Sequence, residues 1–380
     1  MYTLIPISHH HKNHIYYSKD PSILSSNIWN ELKNLEENKG TKSSIKSTIQ
    51  KIFWSKWTLA IPSYVLKRNK IHRDTPVMSI WDLHGNYEAL IENLRHSWLI
   101  NEHKKWRGNN TQLVLHGDIF ADRHADSIKI ANYVQKLQEK AEKYDGKITL
   151  LAGNHEDILF ALLTQQSIYN CGSLLRVDMN MSSARVWMQE IIDYAAQMDN
   201  SLDTLSALRS HEEWKNILEF MCNMQLLELI DDTLFVHVVP HDNMLDLIIK
   251  IGVEGINELY KKWMRYYLLG EWKLSIYEEK GFQDLRKLFL DTNHRKLPMP
   301  ENEKFLKIKE MGISLVVSGH DSTNAGKYIE KDGVAITSAD FKFHLKDKYT
   351  TIPSIVWIKQ NGELLYGKGE PLVIVDSEEE

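Results

Sequence analysis

Cysteine is nearly absent from this chain. Only Cys171 and Cys222 occur in 380 residues, so no disulfide framework holds the fold, and a reducing cytosol suits it. No apolar run approaches the ~18–20 residues of a membrane-spanning helix. The opening MYTLIPISHHHKNH has neither the basic start nor the apolar stretch of a secretion signal. There is no basic surplus: 46 Lys and Arg stand against 51 Asp and Glu, a net charge of −5. That excludes nucleic-acid binding through a broadly cationic surface. Disorder is excluded as well, because 43% of the residues are hydrophobic and 11 are Trp, enough for a substantial core in one large domain or two.

What the chain has is one phrase written five times. A short run rich in Val, Ile and Leu stops abruptly in a metal-binding or phosphate-binding side chain. The runs are PVMSIWDLHGN, TQLVLHGDIFADR, KITLLAGNHE, DTLFVH and SLVVSGH. Such runs read as buried strands, and ligands collect at the carboxyl ends of parallel strands in α/β sheets. Five strands are therefore expected to bring Asp82, His84, Asp118, Asn154, His237 and His320 to one sheet edge. This mixed oxygen and nitrogen set suits borderline divalent metals. Asp82 to Asp118 is 36 residues, and so is Asp118 to Asn154. Each interval fits a strand–helix–strand unit, which needs at least ~30. YEALIENLRHSWL and DSIKIANYVQKLQEKAEKY supply apolar residues at helical spacing for the two crossovers.

At these residues the chain resembles the calcineurin-like metallophosphoesterases, and within them the phosphoprotein phosphatase branch. The blocks are Asp82-Leu83-His84-Gly85, Gly117-Asp118 followed by Asp122-Arg123, Gly153-Asn154-His155-Glu156, Val236-His237 and Gly319-His320. The resemblance runs from about Pro76 to Asp340. It implies an α/β fold, a β-sandwich flanked by helices. It also implies two divalent ions, Mn²⁺ first and Fe or Zn as alternatives. Asp82, His84 and Asp118 would serve one ion, and Asp118, Asn154, His237 and His320 the other. Two such ions ~3.5–4 Å apart can hold a phosphate and activate a water. The resemblance makes His155 the proton donor to the leaving group, Asp122 its orienting carboxylate and Arg123 a phosphate clamp. A second clamp arginine falls among Arg265, Arg286 and Arg295, with Arg295 favoured. Glu156 reads equally as a helix N-terminal carboxylate or as a supporting group of the site. His116, His124 and His241 read as loop or surface residues, and His9, His10, His11 and His14 as part of a solvated N-terminus.

The chain also departs from the family pattern. His124 replaces a Gly after Arg123, and Val238-Val239-Pro240-His241 replaces a Gly-Gly after His237. β-Branched residues cannot copy a glycine backbone at positive φ, so this loop is remodelled. Phe341 or Phe343 stands where a Tyr is expected. The leading function is hydrolysis of phosphoserine or phosphothreonine on a phosphoprotein substrate. Phosphotyrosine and dinucleoside polyphosphates are the rival substrates, and a non-catalytic binding module is the rival of another class.

Residues 1–75 read as a helical extension, through NIWNELKNLEENKG and IKSTIQKIFWSKWTLAI. Residues 76–365 read as the catalytic domain and 366–380 as a final strand and acidic tail. A helical insertion is expected at about 157–234, with Arg209, Glu212 and Glu213 as exposed charges and a wall of the substrate groove as its role. VAITSAD, SIVWIKQ, ELLYGKG and PLVIVD are expected to complete a second sheet, with Asn361-Gly362 as a hairpin turn. The ending DSEEE resembles, weakly, the glutamate-rich tails of proteins exported by bacterial type IV systems. Export into a host cell thus stays open beside a cytoplasmic location.

Overall fold

The computed structural model describes residues 76–120, 126–164, 204–271, 276–290 and 302–320, together with short strands before and after them. The chain divides into two units, Met1–Ala60 and Ile61–Glu380. In the first, β1 (Thr3–Ile5) pairs antiparallel with β2 (Tyr16–Ser18). The helices expected between 27 and 61 lie outside the described residues, as do His9, His10, His11 and His14.

The second unit contains two six-stranded sheets. In the first, β3 (Val77–Ile80), β4 (Gln112–Leu115) and β5 (Lys147–Leu150) run parallel. They are joined by α1 (Tyr87–His96) and α2 (Ser127–Glu142), as the spacing predicts. Helix α1 begins where the Asn86 side chain accepts a hydrogen bond from the Ala89 N–H at 3.0 Å, a polar cap on an otherwise unpaired donor. Its Leu90, Ile91 and Leu94 are buried at helical spacing. From β5 the chain enters α3 (Asn154–Thr164) through Leu151, Ala152 and Gly153.

The last two motif strands depart from the one-sheet expectation. β7 (Thr233–Val236) and β8 (Leu315–Ser318) pair parallel in the second sheet, whose order is completed by β6 (Leu227–Ile230), β9 (Lys327–Lys331), β10 (Val334–Ser338) and β14 (Val373–Ile374). Conversely, β11 (Ile355–Ile358) and β12 (Leu364–Tyr366), expected in the second sheet, join the first beside β3; β13 (Glu370–Pro371) forms its edge. β11 and β12 are antiparallel, as the Asn361-Gly362 signal anticipates, although the turn itself is outside the described residues. The sheets face one another, with the His116 ring of one 5.4 Å from Phe235 of the other. All five motif strands are buried on both sides, so apolar content alone could not say which sheet each one joins.

Helices cover the outside. α4 (Thr204–Ser210) and α5 (Glu212–Cys222) lie at the described end of the expected insertion. α6 (Asp242–Leu269) is kinked at Gly252, where φ is 75° and ψ is 165°. α7 (Ile276–Leu290) and α8 (Asn302–Glu310) follow. Arg209 is not a free surface charge. It is half-buried and donates to the Leu268 and Tyr267 carbonyls at 2.7 and 2.6 Å, satisfying the C-terminal end of α6. Glu212 is exposed, as expected.

Candidate metal centre

Asp82 and His84 follow β3, Asp118 follows β4, Asn154 opens α3 after β5, His237 follows β7 and His320 follows β8. All six are buried. Asp82, His84, Asp118 and His320 have φ between 41° and 61°. That region is sparsely populated for non-glycine residues. Strain concentrated at strand ends is a mark of functional sites, and here it turns each side chain toward a common point.

Two glycines permit the convergence. A Cβ on Gly153 would strike the Asp118 carboxylate and come within 2.9 Å of His237. Gly117 has φ of 84°, and a Cβ there would lie 2.5 Å from the Gly153 nitrogen. Close backbone approach of this kind admits only glycine. The loops are further tied by the His84 N–H donating to the Asp118 carbonyl at 2.6 Å and the Gly85 N–H donating to the Ile119 carbonyl at 3.0 Å.

The Asp118 carboxylate lies at the middle. It is 3.8 Å from His84 Nε2, 3.8 Å from His155 Nε2 and 3.5 Å from His237 Nε2. Burial alone would raise its carboxyl pKa; His155, His237, His84 and His320 outweigh that and hold it well below the usual carboxylate range. Among the described residues, two groups of donor atoms are close enough to hold an ion: His84, Asp118 and His155, and Asp118, His237 and His320. Asp82 lies 4.0 Å from the His237 ring.

A test of fit comes from His237. Its Nδ1 bonds the His116 carbonyl at 2.7 Å, and a carbonyl can only accept, so Nδ1 carries the proton. In the neutral ring Nε2 then presents a lone pair to Asn154 Oδ1 at 3.1 Å and to Asp118. Nitrogen and oxygen donors that converge in this way suit a divalent metal. The residues present fit such an ion.

Glu156 resolves one reading that the sequence left open. Its carboxylate accepts from the Asp118 and Phe120 N–H groups, each at 2.8 Å, and from Gly153 N–H at 2.7 Å. It clasps the β4 and β5 loops behind the cluster. Burial, then the charge of Asp118, pushes its carboxyl up to about 7, against the pull of the Phe120 and Gly153 bonds and His155.

His116 and His241 stand outside helix and strand, as read, but neither is a surface residue. His116 is fully buried, its ring centroid 3.2 Å from that of Trp81. It sits between the two sheets, a position that its own neighbours in sequence do not reveal. His241 precedes α6, is buried and bonds the Leu288 carbonyl at 3.1 Å. Two of the three candidate clamp arginines are engaged elsewhere. Arg286 is buried and doubly bonded to Asp157, and Arg265 is doubly bonded to Glu271, both contacts at 2.7 Å. Sequence reasoning missed the Arg286–Asp157 pair because the partners are 129 residues apart. Asp122, Arg123, His124, Arg295, Phe341 and Phe343 lie outside the described residues.

Two facing sheets, joined by strand–helix–strand units and carrying carboxylate, amide and imidazole groups at the strand ends, define a class of phosphoesterase scaffold. Residues 76–324 match the family described as calcineurin-like phosphoesterase, which is more than half of the chain. The chain belongs to that family. It is 41% identical over 96 residues to Shewanella-like protein phosphatase 1 of Plasmodium berghei (strain Anka), covering 25% of this chain and 26% of that protein. To Shewanella-like protein phosphatase 2 of Arabidopsis thaliana it is 34% identical over 89 residues, 23% of this chain and 22% of the other. The chain thus spans about a quarter of the length of these curated relatives. The crystal structure of a cold-active protein-tyrosine phosphatase from a psychrophilic Shewanella species superimposes with a TM-score of 0.51 at 17% identity. That match covers 77% of each chain, a likeness of fold. No described helix is long and apolar enough to cross a membrane.

Proposed function

We propose that this chain is a metal-dependent protein phosphatase acting on phosphoserine or phosphothreonine. The observation that carries the reading is the convergence of His237 Nε2 with Asn154 Oδ1 at 3.1 Å and Asp118 Oδ1 at 3.5 Å. Family membership supports phosphate-ester hydrolysis, and the names of the relatives support a protein substrate. In this reading Asp82, His84 and Asp118 hold one divalent ion, and Asp118, Asn154, His237 and His320 hold a second, with Mn²⁺ the first choice. Bound there, the ions would neutralise phosphate charge and lower the pKa of a water.

The remaining roles belong to side chains. His155, beside the cluster and only partly buried, holds a proton at Nε2 for the leaving oxygen. Asp122 orients His155. Arg123 and Arg295 grip the phosphate oxygens, for which the guanidinium fork is matched; with Arg286 and Arg265 occupied by carboxylates, Arg295 is the remaining candidate from that interval. Phosphotyrosine is the second reading, favoured by Val238 and Val239 standing where the family has glycines.

The test is turnover of matched phosphopeptides by the Mn²⁺-loaded protein, with phosphoserine, phosphothreonine and phosphotyrosine compared, and diadenosine tetraphosphate as a further substrate. The expected order of kcat/KM puts phosphoserine and phosphothreonine first. A preference for phosphotyrosine selects the second reading. No turnover of any phosphopeptide overturns both.

A further inference from the structure

A second surface lies at the opposite end of the first sheet from the metal-ligand cluster. Helix α1 ends at His96, and the chain crosses to the start of β4 through a loop in which Ile100 and Trp106 form an antiparallel bridge. Trp106 is buried, and its indole N–H donates to the Asn109 carbonyl at 3.1 Å. The Arg107 N–H donates to the Leu99 carbonyl at 2.8 Å, and the Tyr133 hydroxyl to the Lys104 carbonyl at 2.9 Å. The loop is therefore anchored on both sides.

Trp98 stands out from this anchored loop. Its side chain is 67% exposed and its φ is 58°. A bulky aromatic gains little for folding from either condition, since Asn or Gly holds that conformation with less strain and most of the ring stays in water. Tyr144, 57% exposed, is on the next loop. That loop adjoins the first, because a Cβ on Gly146 would meet the Asn109 carbonyl and the Trp106 ring. Only one other large hydrophobic among the described residues, Leu306, is comparably exposed.

The charge around Trp98 is one-sided. Arg95 to Arg107 carries Arg95, Lys104, Lys105 and Arg107 against Glu102 alone, in a chain of net charge −5. The Arg107 guanidinium lies 5.9 Å from the Trp98 ring centroid. Arg95, Lys105 and Arg107 are exposed and hold no carboxylate among the described residues. By contrast, Lys147, Lys215, Lys262, Arg265 and Arg286 each do. Cations beside an exposed indole form the hot-spot chemistry of protein recognition.

We propose that Trp98, Tyr144, Arg95, Lys105 and Arg107 form a docking surface for an acidic segment of a partner protein carrying an apolar residue. The apolar residue packs on Trp98, and the flanking carboxylates pair with the three cations. Nucleic acid fits less well. Non-specific affinity for a polyanion rests on many phosphate contacts, and this patch offers few cations within a net-negative chain. The surface is remote from the site of phosphate chemistry, so its occupation is measured without turnover.

The experiment is fluorescence anisotropy of a short fluorescein-labelled peptide, Asp and Glu flanking a central Leu pair, titrated with the full chain. The wild type should bind, more weakly as salt rises, since exposed charge pairs are screened. Trp98→Asn keeps a side chain suited to the local backbone, so it should fold normally and hydrolyse an aryl phosphate as the wild type does. It should weaken the peptide by ~10-fold or more, the range of a central aromatic anchor. Arg107→Glu should do the same, and its loss should shrink in high salt. Absence of peptide binding by the wild type, or equal binding by both variants, overturns the proposal. So does Trp98-dependent binding of single-stranded RNA or phosphatidylserine vesicles in place of the peptide.

Discussion

At the scale of the residue, the candidate metal site rests on a side chain that would not be its ligand. Glu156 receives three backbone N–H groups on two oxygens, which fixes Asp118 and Gly153 relative to each other. Glu156→Gln keeps the volume and replaces one oxygen with an NH₂ group facing an N–H donor, leaving buried donors unpaired. The expected outcome is a fall in Mn²⁺ affinity of about 10–100-fold, the usual cost of losing an outer support of a metal site. Much of kcat should be recovered at saturating Mn²⁺. Isothermal titration of the metal-stripped variant, with circular dichroism as a check of folding, measures this. Unchanged affinity would show that the clasp does not position the ligands. The motif names Glu156, but only the tertiary structure shows that its partners belong to two loops.

At the scale of the element, helix ends explain what spacing could not. Arg209 looks like one of several charges on an amphipathic segment. In the fold it reaches across 59 residues to the last carbonyls of α6, where the chain turns at Gly270 with φ of 73°. A cation bonded to the C-terminal carbonyls of a helix satisfies orphan acceptors and complements the helix dipole. Arg209→Ala should therefore lower stability by about 1.5–3 kcal/mol, the range for hydrogen bonds to a charged group, while leaving kcat/KM for an aryl phosphate unchanged. Urea denaturation together with steady-state kinetics checks both halves. A variant as stable as the wild type would mean that water replaces the guanidinium at no cost.

At the scale of the whole molecule, the candidate ligands are divided between two sheets. Asp82, His84, Asp118 and Asn154 come from the first, and His237 and His320 from the second. An ion held by both sets would link the two layers, and ligand binding to the native state alone raises stability by mass action. At a metal concentration ~100 times Kd the gain is about 2.7 kcal/mol. Mn²⁺ should therefore raise Tm in a saturable way, EDTA should reverse the rise, and Asp118→Asn should abolish most of it. Differential scanning fluorimetry across a metal titration measures the effect. A Tm indifferent to Mn²⁺ in the wild type would remove the metal assignment, whatever the activity.

The sequence by itself determined the local chemistry: which residues end each strand, the crossover helices over Tyr87–His96 and Ser127–Glu142, and the six candidate ligands in order. These are legible because apolar runs, helical spacing and turn residues act over a few positions. Only the tertiary structure decided which sheet receives β7, β8, β11 and β12, and that His116 lies between the sheets. It also decided that Glu156 joins two loops, that Arg286 is occupied by Asp157, and that Trp98 faces outward among cations that hold no carboxylate among the described residues. Each of those facts is a relation between segments distant in sequence, or between a side chain and solvent. Buried strands are apolar on both faces, so their pattern carries no label for the neighbour they join.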